Sequence, residues 1–117
     1  MSERLIKLVT DFTSAPGARF RKQSKYSGEE FREDFIKPAM QRGTVLVDLN
    51  GALGLPPSFL DEAFGVLLQE DHSAASKIKL LLTDNDTARA VLKDCIARRI
   101  DAKTSDGVFV TSKASPN

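Results

Sequence analysis

Residues 44–49, with the sequence TVLVDL, constrain the fold more than any other part of the chain. The segment is nearly continuously apolar, which is typical of a β-strand covered on both faces. Strands of this kind lie inside parallel sheets, where helices pack on either side. We therefore expect residues 44–49 to form the central strand of an α/β domain.

The helix that follows this strand is predicted to begin at Ser58. Pro56 and Pro57 end the preceding loop, and apolar residues then recur at the spacing of one helix face. These apolar residues are Leu60, Ala63, Phe64, Leu67 and Leu68. A serine at this point commonly accepts a hydrogen bond from an amide of the first turn, which stabilises a helix by about 1 kcal/mol. Ser58 is therefore predicted to be the N-cap, and the alternative is a chemical site at the helix tip.

The N-terminal part of the chain is predicted to form a β-hairpin. Residues 4–12 are apolar and rich in β-branched side chains, and residues 18–21 alternate. Ala15, Pro16 and Gly17 between them favour a turn. A hairpin would add an antiparallel pair of strands to the sheet.

A first helix is predicted over residues 28–42. Ser27 and Glu30 have the spacing of a capping box, in which each side chain satisfies an amide at the helix start. Pro38 lies inside this helix and removes one backbone donor, so a kink or break is expected near residues 36–37.

The C-terminal part is predicted to add a strand, a helix and a short edge strand. Residues 77–83 read as a buried strand, and Asp86 is expected to cap a last helix. Residues 107–111 are expected to be an edge strand, and residues 112–117 a tail. The predicted order is β-β-α-β-α-β-α with an optional final strand. It describes an α/β domain over residues 1–111, in which a small mixed sheet of about four or five strands packs against three helices.

The composition removes several classes of function. Basic residues number 17 and acidic residues 16, so no strong field favours nucleic acid or a membrane surface. One histidine and one cysteine cannot provide the usual four ligands of a zinc site, and no Gly-rich phosphate-binding motif is present. No cofactor is therefore predicted. The lack of a long apolar segment and the single cysteine favour a cytoplasmic protein.

Candidate binding residues follow the strands, because ligands of α/β sheets gather at the carboxyl ends of strands. The candidates are Asp48, Asn50, Gly51, Ser58, Asp61, Glu62, Asp84 and Asn85. Asp48 has the alternative of bonding loop amides or an arginine, and Asp84 and Asn85 have the alternative of a simple turn. Asp61 and Glu62 suit the first turn of a helix, but we expect them to repel a phosphate placed there.

Three segments carry a resemblance to a known family. They are Gly17-Ala18-Arg19-Phe20, Ser27-Gly28-Glu29-Glu30-Phe31-Arg32 and Ser58-Phe59-Leu60-Asp61-Glu62-Ala63-Phe64-Gly65, with Val47-Asp48-Leu49-Asn50-Gly51 before the last. The chain resembles the STAS-like domain family of unknown function, small bacterial and phage-associated proteins. The resemblance covers roughly residues 5–95.

The resemblance extends to STAS domains, which include anti-sigma-factor antagonists. It implies a mixed-sheet α/β fold and a partner with a histidine-kinase-like ATPase fold, which phosphorylates a serine at the start of the second helix. That serine falls on Ser58. Pro56, Pro57 and Phe59 stand where antagonists usually carry Asp-Ser and a small residue.

The first hypothesis for function is a non-enzymatic regulatory or adaptor module that binds a protein partner through the Ser58 helix end. Phosphorylation of Ser58 would switch this binding. The alternative is a domain that binds a small ligand or nucleotide in the strand-end cleft. A hydrolase with Ser58 as nucleophile ranks last, because no general base is expected within reach. The oligomeric state is not predicted.

Overall fold

The sheet of the computed structural model, which describes residues 3–110, has three parallel strands in the order β1-β2-β3. They are β1 (Arg4–Lys7), β2 (Val45–Asp48) and β3 (Ile78–Leu81). Val47 at the middle of β2 pairs with a residue of each neighbour, Ile6 and Leu80. The prediction of a central strand after residue 43 is therefore confirmed.

The predicted hairpin is wrong, and so is the mixed sheet of four or five strands: the named strands of residues 3–110 pair only in parallel. After β1 the chain enters a π-helical turn, Leu8–Phe12. Residues 18–21 form no strand, because their backbone bonds a helix instead. The carbonyls of Ala18 and Arg19 accept hydrogen bonds of 3.0 Å from the amides of Gly28 and Glu29.

Helix α1 (residues 28–40) consists of the α-helical turns Gly28–Phe31 and Lys37–Met40 with a π-helical turn, Arg32–Ile36, between them. The predicted cap is confirmed, since Ser27 Oγ accepts from the Glu30 amide at 3.1 Å. The Glu30 carboxylate accepts from the amide of Tyr26, whereas the capping box predicts the amide of Ser27, one residue later. The expected irregularity near Pro38 is this widened turn, in which the Lys37 amide donates to the Arg32 carbonyl five residues back.

Helix α2 (residues 57–70) has the same construction, with the π-helical turn Asp61–Gly65 between Pro57–Leu60 and Val66–Glu70. Ser58 is not its N-cap, so that prediction is wrong. Pro56 is the N-cap residue, Pro57 is the first helical residue, and no side chain caps this end. The fixed φ of proline suits the first helical position, which moves Ser58 into the first turn.

Helix α3 (Asp86–Ala97) begins one residue earlier than expected. Its cap is Asn85, whose Oδ1 accepts from the Ala88 amide at 2.9 Å, so the prediction of Asp86 as the cap is wrong. A short helix α4 (Ala102–Gly107), capped by Asp101, was not predicted. The expected edge strand at residues 107–111 is a single parallel bridge between Phe109 and Leu80. Residue 111 and the predicted tail lie outside the described residues.

The core is formed by side chains from the sheet and from α1, α2 and α3. The largest members include Phe31, Phe59 and Phe64, all fully buried. In β2, Val45 and Val47 are fully buried, whereas Leu46 and Asp48 are half-buried. Within residues 3–110, the helices are too short or too polar to cross a membrane.

Candidate functional site

The carboxyl ends of β2 and β3 are joined by a group of polar residues, which we call the strand-end cluster: Asp48, Asn50, Gly51, Thr83 and Asp84. Oδ1 of Asn50 accepts from the amides of Thr83 at 2.8 Å and Asp84 at 3.1 Å, and its Nδ2 donates to Thr83 Oγ1 at 3.1 Å. The Gly51 amide donates to Asp84 at 2.8 Å, and the Asn50 amide to Asp48 at 2.9 Å.

All of these bonds except the one between Asn50 and Asp48 connect the loop after β2 to the loop after β3. The prediction that Asp48, Asn50, Gly51 and Asp84 come together is therefore supported by the geometry, but they bond mainly one another. Asn85 follows them as the cap of α3. Leu53, in the loop between the cluster and α2, is 83% exposed.

Asp61 and Glu62 belong to a different group, the arginine network, whose members are Arg19, Arg32, Arg99, Asp61 and Glu62. Arg99 donates to both Asp61 oxygens, from Nε at 2.8 Å and Nη2 at 2.7 Å. Arg19 Nη1 bridges Asp61 at 2.8 Å and Glu62 at 3.0 Å. Arg32 Nη1 donates to the Glu62 carboxylate at 2.8 Å and to its carbonyl at 2.6 Å.

Burial divides the network into an inner and an outer part. The Arg32 and Glu62 side chains are each only 8% exposed. Asp61 is 16% exposed and Arg19 31%, so the outer part meets solvent. Hydrogen bonds from Arg99 and then Arg19 lower the pKa of the Asp61 carboxyl, while the bond to Asp61 raises the pKa of Arg99. The charges of Asp61 and Glu62 are thus neutralised by arginines. The expectation that these two carboxylates repel a phosphate did not take the arginines into account.

Two glycines allow the helices of the network to approach closely. A Cβ on Gly28 would lie 2.7 Å from the Phe59 carbonyl oxygen and 2.9 Å from the Glu62 Cβ. A Cβ on Gly65 would lie 2.6 Å from Asp61 Oδ1 and 2.9 Å from Arg99 Cδ. The Phe59 carbonyl belongs to the backbone and cannot move aside, so glycine is needed at position 28, where α1 crosses α2. At position 65 a Cβ would instead displace the side chains of Asp61 and Arg99, which form the outer part of the network.

A groove of about 560 Å³ opens beside the outer part of the network. Its lining residues are Arg19, Pro57, Ser58, Asp61, Gln69, Cys95, Arg98 and Arg99. Three arginines and one carboxylate give this lining a net charge of +2. Ser58 is half-buried, and its hydroxyl caps no helix. We call this feature the Ser58 groove.

The predicted site residues are therefore divided between two places. Ser58 and Asp61 line the Ser58 groove, Glu62 is buried beneath it, and the remaining candidates form or follow the strand-end cluster. Sequence reasoning missed Arg19, Arg32 and Arg99 as partners of Asp61 and Glu62. Arg19 and Arg32 both lie in segments that carried the family resemblance, which was the one available signal.

The groove and its surroundings offer little for metal or acid–base chemistry. Within the described residues, no group of three or more His, Cys, Asp or Glu side chains could hold a metal ion. Burial raises the pKa of the Cys95 thiol, which disfavours the thiolate. Asp61 is held by two arginines and is not poised to accept a proton.

A family model described as the STAS-like domain of unknown function (DUF4325) matches residues 27–88, just over half of the chain. The chain belongs to this family. No curated protein and no solved structure matches it. In this STAS-like domain, the matched segment contains both members of the buried pair Arg32–Glu62 and all five residues of the strand-end cluster. Arg19 and Arg99, which hold Asp61, lie on either side of the match.

Proposed function

We propose that this STAS-like domain is a non-enzymatic regulatory or adaptor module that binds a protein partner at the N-terminal end of α2. Phosphorylation of Ser58 switches that binding. The observation that carries the proposal is the position of Ser58, which lines a cationic groove without capping its helix. The resemblance to STAS domains favours a histidine-kinase-like ATPase or an anti-sigma-type regulator as the partner, acting in the cytoplasm.

The exposed side chain of Leu53 supports a protein partner at this end of the molecule. Among residues 3–110 it is the most exposed of the large apolar residues, at 83%, and it lies five residues before Ser58. The Leu53 amide donates to the Ser14 carbonyl at 2.8 Å, so the loop is fixed by its backbone while the side chain remains free. A leucine held in this way can fill a pocket of a partner without a large loss of loop entropy.

The adaptor is favoured over an enzyme because the residues around Ser58 do not activate it. A serine nucleophile requires a neighbouring base, and the groove offers arginines, Gln69, a cysteine with a raised pKa, and Asp61, whose carboxylate is held by Arg19 and Arg99. It is also favoured over a small-ligand site at the strand ends. There the Asn50 side chain already uses both its oxygen and its nitrogen in bonds between the two loops.

Partner binding is tested by affinity capture from the native host with matched leucine variants. Leu53→Ser should weaken binding of the captured protein about tenfold or more, as loss of an interface anchor does. Leu5→Ser is the control, because Leu5 is also exposed, at 51%, but lies on the edge strand β1. Equal binding by both variants and the unchanged protein would show that Leu53 is not an interface anchor and would remove the support that it gives to an interface at this end of α2.

The switch is tested by incubating the domain with ATP and the captured partner. Intact mass should increase by one phosphate in the unchanged protein and not in Ser58→Ala. Ser58→Asp should bind the partner with an affinity that differs from that of Ser58→Ala. No phosphate on Ser58, together with equal affinities of the two variants, would disprove the switch.

A further inference from the structure

The Ser58 groove has more positive charge than its own carboxylate uses. In residues 3–110, the bonds of Arg19 to Asp61 and Glu62 all come from Nη1, so Nε and Nη2 are available to another acceptor. Arg98 pairs from Nη2 with Asp94 at 2.6 Å, one turn earlier on α3. Both members of that pair are exposed, Arg98 at 75%, and exposed pairs of this type are weak and exchange readily.

Ser58 is placed to use these donors. It precedes Asp61 by three residues, so the two side chains are neighbours on one face of α2. Arg19, which reaches Asp61, is therefore close to a group attached to Ser58, and Arg98 lines the same groove as Ser58. A phosphate monoester carries about −1.5 to −2 charges at neutral pH, which matches the net charge of +2 on the groove lining.

We infer that Arg19 and Arg98 form an intramolecular phosphate-binding pair for a phosphate on Ser58, while Arg99 stays on Asp61. This inference rests on the proposed phosphorylation of Ser58, and it specifies which residues bind the phosphate once it is attached. In the transfer, Ser58 Oγ attacks the γ-phosphorus of a nucleoside triphosphate held by the partner. A new O–P bond forms, the β–γ anhydride bond breaks, the nucleoside diphosphate leaves, and the hydroxyl proton passes to a base or to solvent. The groove changes from cationic to nearly neutral.

The test uses the domain with phosphoserine incorporated at position 58 during synthesis, so that no kinase or partner is needed. The second pKa of the phosphate is measured by phosphorus NMR during a pH titration. Binding by two arginines should lower it by about 1 unit from its usual value near 6, because opposite charge favours the dianion. Without the arginines, the nearby carboxylates of Asp61 and Asp94 would raise the phosphate pKa. The direction of the change therefore shows whether the arginines bind the phosphate.

Arg98→Gln is the decisive variant, because Arg98 is exposed and its loss should leave the fold unchanged by circular dichroism. It should return the phosphate pKa at least halfway to the usual value. Arg42→Gln is the matched control, since Arg42 is exposed but does not line this groove, and it should leave the pKa unchanged. A phosphate pKa at or above the usual value, or a lowered pKa that Arg98→Gln does not alter, overturns the assignment.

A second arm separates phosphate on Ser58 from phosphate in solution. Inorganic phosphate at millimolar concentration should not bind saturably to the unmodified domain by amide NMR. Saturable binding that persists in Ser58→Ala would overturn the assignment in favour of a site for free phosphate. The result is independent of the proposed switch: a partner that fails to phosphorylate Ser58 leaves the measured phosphate pKa unaffected.

Discussion

The strand-end cluster and the arginine network both hold carboxylates at the start of a loop or helix, but they neutralise them differently. In the cluster, Asp48 accepts a hydrogen bond from the Asn50 amide of its own loop, and Asp84 accepts one from the Gly51 amide of the neighbouring loop. In the network, Asp61 and Glu62 accept from arginine side chains that come from distant parts of the chain.

The difference matters for function. Backbone amides are fixed by the fold, so the cluster is a connection between two loops and has little capacity to rearrange. Arginines have several donors and can bind a second acceptor, so the outer part of the network can respond to new negative charge. We therefore assign a structural role to the strand ends, and the proposed regulatory site lies beside Ser58.

The largest effect is expected from the inner part of the network. Glu62→Gln keeps the shape of the side chain but removes the buried carboxylate beside Arg32, which is 8% exposed and is then left with the partly exposed Glu33, 2.9 Å from its Nε, as its charged partner. We expect a loss of about 3 kcal/mol in the free energy of unfolding, as measured by urea denaturation.

Glu70→Gln on the same helix is the control for this variant. Glu70 is 54% exposed and lies 3.5 Å from Lys37, so its loss should cost less than about 1 kcal/mol. Similar losses for the two variants would show that the Arg32–Glu62 pair is not the stabilising contact that its burial indicates.

An intermediate effect is expected at the strand-end cluster. Asn50→Ala removes three hydrogen bonds between the two loops, so unfolding should require about 2 kcal/mol less. Thr83→Val removes only the bond from Asn50 Nδ2 and should cost about 1 kcal/mol or less. If both variants lose the same amount, the bonds to the Thr83 and Asp84 amides do not stabilise the loops.

The sequence could predict features that depend on neighbouring residues, but not contacts between distant parts of the chain. Residues 44–49 were correctly assigned to the central strand, and Ser27 to a helix cap, because both signals are local. The network could not be derived from spacing, since Arg99 is 38 residues from Asp61 and Arg32 is 30 from Glu62. Only the family resemblance indicated that the segments of Arg19, Arg32 and Asp61 belong together.

The incorrect predictions also have local explanations. Residues 18–21 alternate as a strand does, but four residues without a partner strand are a weak signal, and their carbonyls bond the start of α1 instead. The prediction of Ser58 as the cap of α2 is two residues too late because it assigns Pro57 to the loop, whereas Pro57 is the first helical residue. Proline is favoured at the first helical position, and this preference would have placed Ser58 in the first turn.

A smaller, pH-dependent effect is expected from the outer part of the network. The pKa of Asp61 is lower in the folded state than its unfolded value of about 3.9, chiefly because of Arg99. The stability that this carboxylate contributes is therefore fully present above the unfolded pKa and is lost as the pH falls through the folded pKa. In acid, the unchanged protein should lose more stability than Asp61→Asn does.

Urea denaturation at a series of acidic pH values measures this difference. Arg99→Gln should flatten the pH profile in the same direction as Asp61→Asn, because it removes the main cause of the lowered pKa. Parallel profiles for the unchanged protein and Asp61→Asn would show that the Arg99 pair does not contribute to stability in this range.

The smallest effect on stability is expected at Ser58. It distinguishes the region beside the arginine network from the strand ends, where Asn85 caps α3. Ser58→Ala should change the free energy of unfolding by less than about 0.5 kcal/mol, because the hydroxyl caps no helix. Asn85→Ala is the matched comparison, since Asn85 caps α3 with a 2.9 Å bond and its loss should cost about 1 kcal/mol. A loss at Ser58 equal to that at Asn85 would return Ser58 to the role of a cap and remove the reason to treat its hydroxyl as free for modification. A negligible loss would show that the fold does not require the Ser58 hydroxyl for stability, although this half-buried serine lies beside three arginines. A modification site needs a hydroxyl of this kind.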